Sequence, residues 1–300
     1  MIDLKDLASS PRTLRLGMFT SRYTPETVGH RLAWFVSGLI ARFKPAVYRT
    51  ARSNLSQVLG PNVEPQSLES IAREVFHTFL RNYFDLFRAL RLPLEELLSR
   101  VDVPEQAKAI LDSLWNREGG SVLVIPHLGN FDLGGQVAAA YLPETQVISL
   151  PDPPPGFQLA NRYRQRTGIK VTPLSPPALR EAIRTLRQGK AVAVGGDRPV
   201  SDLDEPVSFF GSPARVPSAH VRLAIKTGAV VVVACCVFSA ETKRYTFHVE
   251  PPLGMIRTGD RQEELQINMR QVLDRLESVI RRWPEQWQMF VPVWPKLLEA

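Results

Sequence analysis

The chain has 300 residues, 44% hydrophobic and 22% charged, a composition that supports a sizeable buried core and excludes a disordered or low-complexity chain. Its formal net charge of +7 points to an anionic partner, and its two adjacent cysteines, Cys235 and Cys236, exclude a disulfide framework and a cysteine-based zinc site. No run reaches the roughly 18 to 20 apolar residues that a spanning helix needs, and no signal peptide is visible, so the chain reads as soluble or peripheral.

Residues 1–118 read as a helical N-terminal region. Nine Lys and Arg (Lys5, Arg12, Arg15, Arg22, Arg31, Arg42, Lys44, Arg49, Arg52) fall in residues 1–60 against Asp3, Asp6 and Glu26, nearly the whole basic excess. Within that stretch Leu32, Phe35, Val36, Leu39, Ile40 and Phe43 repeat at helical spacing, with Trp34 beside them and Arg31, Arg42 and Lys44 at the ends. A basic amphipathic helix over about 30–44 suits an anionic membrane surface. It equally suits packing against the rest of the protein, because amphipathicity does not say which apolar phase is used. The segment 68–90 sets Phe76, Phe79, Tyr83, Phe84 and Phe87 close to helical spacing, a pattern usual for a core. Leu92-Pro93 ends that helix, and further helical stretches cover 95–98 and 107–115.

From Gly119 the pattern changes to short apolar strands alternating with longer helices. Strands are predicted at 121–126, 145–150, 169–174, 190–195, 229–237 and 245–250. Helices are predicted at 131–141, 157–166, 177–188, 217–227 and 261–282. This alternation predicts an α/β core over 119–300, a mostly parallel central sheet flanked by helices, forming one compact unit with the helical N-terminal region. In such sheets ligands bind beyond the carboxyl ends of the strands.

His127 stands at one such end, in Pro126-His127-Leu128-Gly129-Asn130-Phe131-Asp132. Asn130 suits a helix N-cap, and Asp132 falls in the first turn, where the helix dipole favours a carboxylate. A carboxylate that receives one imidazole N–H leaves the other nitrogen as a base, so His127 and Asp132 form a candidate proton-abstracting dyad. Taken singly, a histidine at a strand end and an aspartate in a first turn also have ordinary structural readings. Asp197 and Arg198, in Gly195-Gly196-Asp197-Arg198-Pro199, follow the strand 190–195; if the two strands are parallel, they open onto the same rim as His127. The segment Arg162-Tyr163-Arg164-Gln165-Arg166 is a cationic cluster that could hold phosphate or be solvated surface. Phe209 and Phe210, in an expected loop over 207–215, could cap the core or wall a cleft. There is no dinucleotide fingerprint, phosphate loop or serine-hydrolase elbow. His30, His77, His220 and His248 show no metal-ligand spacing, so no metal is expected.

With these motifs in order, His127-x-x-x-x-Asp132 resembles the catalytic motif of glycerolipid and lipid A acyltransferases. Gly196-Asp197-Arg198, Phe209-Phe210-Gly211-Ser212-Pro213, Ala224-Ile225-Lys226-Thr227-Gly228-Ala229 and Ile280-Arg281-Arg282-Trp283-Pro284-Glu285-Gln286-Trp287 narrow it. Together they resemble the bacterial late lipid A acyltransferases and the phosphatidylinositol mannoside acyltransferases, and so, more loosely, does Tyr48-Arg49-Thr50-Ala51-Arg52-Ser53-Asn54-Leu55. The resemblance implies that His127 is the base and Asp132 its orienting carboxylate. It places Asp197 at a second active-site acid, often Glu in the mannoside branch, and sets Arg164, or Arg162 in its place, near a substrate-contacting arginine. The lipid A enzymes usually carry a membrane-spanning anchor and often Glu in the motif; an interfacial helix and Asp132 lean toward the mannoside branch.

The expectation is therefore an O-acyltransferase at the cytoplasmic face of the bacterial plasma membrane, held peripherally by anionic lipid. It moves a fatty acyl group from acyl-CoA or acyl-carrier protein to a hydroxyl of a glycolipid or lysolipid, with no permanently bound cofactor and no nucleic-acid partner. Asp197 and Arg198 position the acceptor head group, the segment around Arg162 and Arg164 meets phosphate, and Phe209 and Phe210 line a cleft. The competing expectation is a catalytically silent lipid-binding or membrane-adaptor protein on the same scaffold.

Overall fold

The computed structural model describes residues 11–89, 92–115, 117–142, 144–153, 158, 161, 165, 168–201 and 204–295. Helices α1 (Pro11–Tyr23), α2 (Glu26–Phe43), α3 (Ala46–Leu59) and α4 (Pro65–Ala89) come first, followed by α5 (Leu94–Leu98), the short strand β1 (Val101–Asp102) and α6 (Glu105–Leu114). The alternating part runs β2 (Ser121–Ile125), α7 (Phe131–Tyr141), β3 (Gln146–Ser149), β4 (Lys170–Pro173), α8 (Pro176–Arg187) and β5 (Ala191–Gly195). It continues with β6 (Val207–Phe209), β7 (Ser212–Ala214), α9 (Ala219–Thr227), β8 (Val230–Ser239), β9 (Arg244–Val249), α10 (Arg261–Arg282) and a 3-10 turn at Pro284–Gln286. The predicted helix at 157–166 falls almost wholly outside the described residues.

Seven strands form a mixed, mostly parallel sheet in the order β1-β9-β8-β2-β5-β3-β4, in which only β8 and β9 pair antiparallel. The central strands are buried on both faces, and their side chains divide by the period of two that a pleated strand imposes. Val122 and Val124 of β2, with Val231, Val233 and Cys235 of β8, enter the core on one face. Leu123, with Val230, Val232, Ala234 and Cys236, enters the core on the other. The two cysteines thus sit on opposite faces as free buried thiols, and burial pushes Cys235 up to about 12. A fully buried side chain such as Leu123 contributes strongly: truncation to alanine typically costs about 2–5 kcal/mol.

The N-terminal helices share the first of these cores, through Tyr48, Leu55, Ala72, Val75 and Phe76. Asn54 of α3 locks onto the C-terminal segment: its Nδ2 donates to the carbonyls of Met289 and Val291, and its Oδ1 accepts from Val293 N–H. The strand β1 was not expected in a region read as helical; two residues are too short to show a period. The 207–215 segment, expected to be irregular, is a tight hairpin of β6 and β7 with Phe209 opposite Ser212.

The apolar stripe of α2 faces outward. Leu32, Phe35, Leu39 and Phe43 are exposed, Phe43 at 77%, while Gly29, Ala33 and Ser37 form the buried face. Val36 and Ile40 lie between, partly buried. A Cβ at Gly29 would stand 2.2 Å from the Phe84 ring of α4, so the small-residue face lets the two helices approach and turns the large apolar residues outward. Leu16, Phe19 and Tyr23 of α1 are exposed as well. Among the described residues no helix is long and apolar enough to cross a membrane.

His220 of α9 is fully buried, neither ring nitrogen has a hydrogen-bond partner among the described residues, and burial pulls its pKa down to about 4. The unfolded chain, with a histidine near pKa ~6.5, binds that proton first, so this residue's stability contribution is full above about pH 6.5 and is lost as pH falls toward the folded value. His220→Leu is expected to flatten the fall in melting temperature between pH ~7 and ~4.5. Identical pH profiles for the two proteins would show that His220 does not drive it.

Candidate active site

Two neighbouring parallel strands build the site. β2 pairs with β5 so that Ile125 lies opposite Gly195, and two residues beyond each strand end His127 and Asp197 leave the sheet side by side. The turn out of β5 needs a residue without a side chain, because a Cβ at Gly196 would fall 2.4 Å from Val124 Cγ1. The turn out of β2 needs one too: Gly129 has φ +62, and a Cβ there would stand 2.1 Å from the Cys236 carbonyl oxygen. That closeness ties the loop to β8, where Asn130 N–H donates to the Cys236 carbonyl at 2.7 Å. The C-terminal segment clamps the same loop from outside: Gly129 N–H donates to Gln286 O, Gln288 N–H to His127 O, and Gln288 Nε2 to Gly129 O. Asn130 then caps α7, its Oδ1 accepting from Leu133 N–H.

The carboxylate that holds His127 is Asp197, where the sequence reading placed Asp132. Asp197 Oδ1 lies 2.8 Å from His127 Nδ1, and Oδ2 accepts from the His127 backbone N–H and from the Trp287 indole N–H, each at 2.8 Å. Asp197 is wholly buried, while the His127 side chain is 26% exposed. Burial raises the Asp197 carboxyl, but the attraction of His127 and the hydrogen bonds from His127 and Trp287 outweigh it, so the group is held below the usual carboxylate range. An ionised carboxylate only accepts; Nδ1 therefore carries the proton and Nε2 presents a lone pair at the exposed side of the ring. The Phe131 ring stands edge-on to the imidazole, 5.5 Å between centroids. Among the described residues no serine, threonine or cysteine side chain bonds to His127.

The remaining candidates take different places. Asp132 is buried in the first turn of α7 and lines a cavity beside the His127 loop. Asp197, expected to hold a head group, spends its oxygens on His127 and Trp287 instead. Arg198 is partly buried; burial lowers its guanidinium pKa, opposed chiefly by the charge of Asp197. Phe209 and Phe210 are buried and do not wall an open cleft: Phe209 stacks on Trp294, and Phe210 packs against Trp287 and under Arg281. They act at one remove, supporting the tryptophan that holds Asp197. Arg162 and Arg164 lie outside the described residues. Trp287 itself was given no role from sequence, although it closes a recognisable motif, because nothing local links it to a residue ninety positions earlier.

Residues 14–296 match the family described as bacterial lipid A biosynthesis acyltransferase. The chain belongs to that family. It is 29% identical over 253 residues to a phosphatidylinositol mannoside acyltransferase of Mycobacterium tuberculosis, covering 81% of this chain and 76% of that protein. It is 27% identical over 252 residues to the protein of the same name from Mycolicibacterium smegmatis, covering 81% and 78%. Family membership makes the chain an acyltransferase of the lipid A biosynthesis type.

Proposed function

We propose that the chain moves a fatty acyl group from an acyl thioester, carried by coenzyme A or acyl-carrier protein, to a hydroxyl of a glycolipid or lysolipid. The observation that carries this reading is the His127 imidazole, held at Nδ1 by a buried carboxylate with Nε2 left at the rim. A thioester is already activated, so the main tasks are to deprotonate the acceptor and to stabilise the oxyanion. His127 Nε2 takes the proton as the hydroxyl oxygen attacks the thioester carbonyl, and Asp197 stabilises the imidazolium that forms. Collapse of the tetrahedral intermediate breaks the C–S bond, and the departing thiolate takes the proton back from Nε2. Arg198 meets an anionic group of donor or acceptor. The relatives' names favour a mannosylated phosphatidylinositol as acceptor.

The test is purified protein with radiolabelled palmitoyl-CoA and mannosylated phosphatidylinositol. Labelled acyl lipid is expected, and without acceptor no label is expected to remain on the protein. Stoichiometric acylation at Ser, Thr or Cys would move His127 to activating an enzyme nucleophile. Vesicle binding without any product would instead mark a silent lipid-binding protein.

The reaction is further proposed to occur with the protein docked peripherally on the cytoplasmic face of the bacterial plasma membrane. The outward stripe Leu32, Phe35, Leu39 and Phe43, flanked by exposed Arg31, Arg42 and Lys44, supports this. Contiguous exposed apolar surface is uncommon on a soluble monomer, and each flanking cation near anionic lipid is worth about 1 kcal/mol. Phe35→Asp and Leu39→Asp are expected to weaken co-sedimentation with phosphatidylglycerol vesicles about tenfold or more at low salt, since each removes a buried-in-lipid side chain worth about 1.5–3 kcal/mol. Melting should hardly change. Full binding by both variants would refute docking through this stripe.

A further inference from the structure

The segment after α10 grips both halves of the dyad. Its backbone holds the His127 loop: Gly129 N–H donates to the Gln286 carbonyl at 2.9 Å, and Gln288 N–H to the His127 carbonyl at 2.7 Å. Between those two bonds Trp287, 1% exposed, turns its indole N–H onto Asp197 Oδ2 at 2.8 Å. The other contacts of that carboxylate, at Oδ1 and Oδ2, are both with His127. Rotation of an aspartate carboxylate about its last torsion is loosely confined, so a donor on a separate element is what fixes its plane.

The indole is itself held by the tip of the β6–β7 hairpin. Phe210 there has φ +49, a left-handed conformation that a bulky side chain rarely adopts. Its backbone is pinned from two helices: its N–H donates to Glu277 Oε1 of α10 at 2.8 Å, and its carbonyl accepts from Gln57 Nε2 of α3 at 2.7 Å. Strained backbone persists where its surroundings over-determine it, and it clusters at functional sites. Here the strain sets the Phe210 ring against both tryptophans, its centroid 6.2 Å from Trp287 and 6.0 Å from Trp294, with the Arg281 guanidinium over it at 4.7 Å.

We propose that Trp287 and Phe210 are positioning residues for the proton transfer: the indole N–H fixes the Asp197 carboxylate against His127 Nδ1, and the strained hairpin tip fixes the indole. The proposal rests on the acyltransferase reading and assigns that reaction two residues that never touch substrate. It has a consequence that packing alone would not produce. The indole N–H shares the negative charge of Asp197; without it that charge acts more fully on the imidazole, and the pair takes up its inactivating proton at higher pH. Around the dyad, Arg198 follows Asp197 and Asp132 of α7 stands beside the His127 loop, while Arg281 and Glu277 of α10 lie behind Phe210. All four charges remain when Trp287 or Phe210 is replaced by an apolar residue.

The test measures transfer from palmitoyl-CoA to mannosylated phosphatidylinositol in detergent micelles between about pH 5 and pH 9. The full chain is compared with Trp287→Phe, which keeps an aromatic ring and removes the N–H, and with Phe210→Leu, which keeps the N–H and removes the ring packed on it. In Trp287→Phe, kcat is expected to fall about tenfold with each KM within about twofold, and the acid limb of kcat/KM to move up by about 0.5–1 pH unit. Phe210→Leu is expected to shift the limb the same way with a smaller loss, about threefold in kcat. An acid limb in its wild-type place in either variant overturns the proposal, whatever the melting temperature does, and assigns the residue to the fold. Phe210→Leu leaves Trp287 intact and gives the reading alone where Trp287→Phe does not fold. No transfer by the unaltered chain would overturn the acyltransferase reading; transfer by it with unmoved limbs overturns the positioning role alone.

Discussion

His127→Ala is expected to lower acyl transfer about 10²- to 10⁴-fold, the usual contribution of a positioned general base. The loss should appear in kcat more than in the KM for either substrate, because the base acts as charge develops in the transition state. The protein should still fold. The ring is partly exposed at the rim, and Asp197 keeps two of its three donors, the His127 backbone N–H and the Trp287 indole. A well-folded variant that transfers palmitate at close to the wild-type rate would exclude His127 as the base.

Asp197→Asn is expected to cost about 10²-fold or more, and to cost more than Asp132→Asn. An amide cannot replace this carboxylate in either orientation. With its N–H₂ toward His127, it donates to Nδ1, forces the ring proton onto Nε2 and removes the base. With its oxygen toward His127, its N–H₂ faces the backbone N–H of His127 and the Trp287 indole, both donors. The same change should lower stability at neutral pH. The folded pKa of Asp197 lies below that of an unfolded aspartate, so its contribution is full above about pH 4 and is lost as pH falls through the folded value. The gap in melting temperature between Asp197→Asn and wild type should therefore narrow in strong acid. Kinetics and melts of both asparagine variants decide this; a larger activity loss in Asp132→Asn would return the orienting role to the first turn of α7.

Much of the frame is legible from local pattern. The strands at 121–125, 146–149, 170–173, 191–195, 230–239 and 244–249 lie within a residue or two of their predicted spans, because apolar runs bounded by turn residues carry a signal at the scale of the element itself. The Asn130 cap, the opposite-facing cysteines and the placement of His127 and Asp197 on one rim follow from chain-local rules together with the parallel-sheet expectation. The hairpin at 207–214 escaped because its strands are three residues each, too short for alternation to show.

By itself the sequence determined that a histidine and two carboxylates would gather beyond the strand ends of an α/β sheet, and that an amphipathic basic helix would precede them. Only the tertiary structure decided which carboxylate holds the imidazole. Five positions of separation made Asp132 the natural choice, but the β2–β5 register brings a residue seventy positions away into contact with Nδ1, and Trp287 arrives from the far end of the chain to fix it. Only the tertiary structure decided, too, which way α2 faces. Periodicity marks an apolar stripe without saying what it meets, whereas Gly29, Ala33 and Ser37 leave room for the Phe84 side of α4. Close packing took the small residues inward, and the large apolar ones were left to face out.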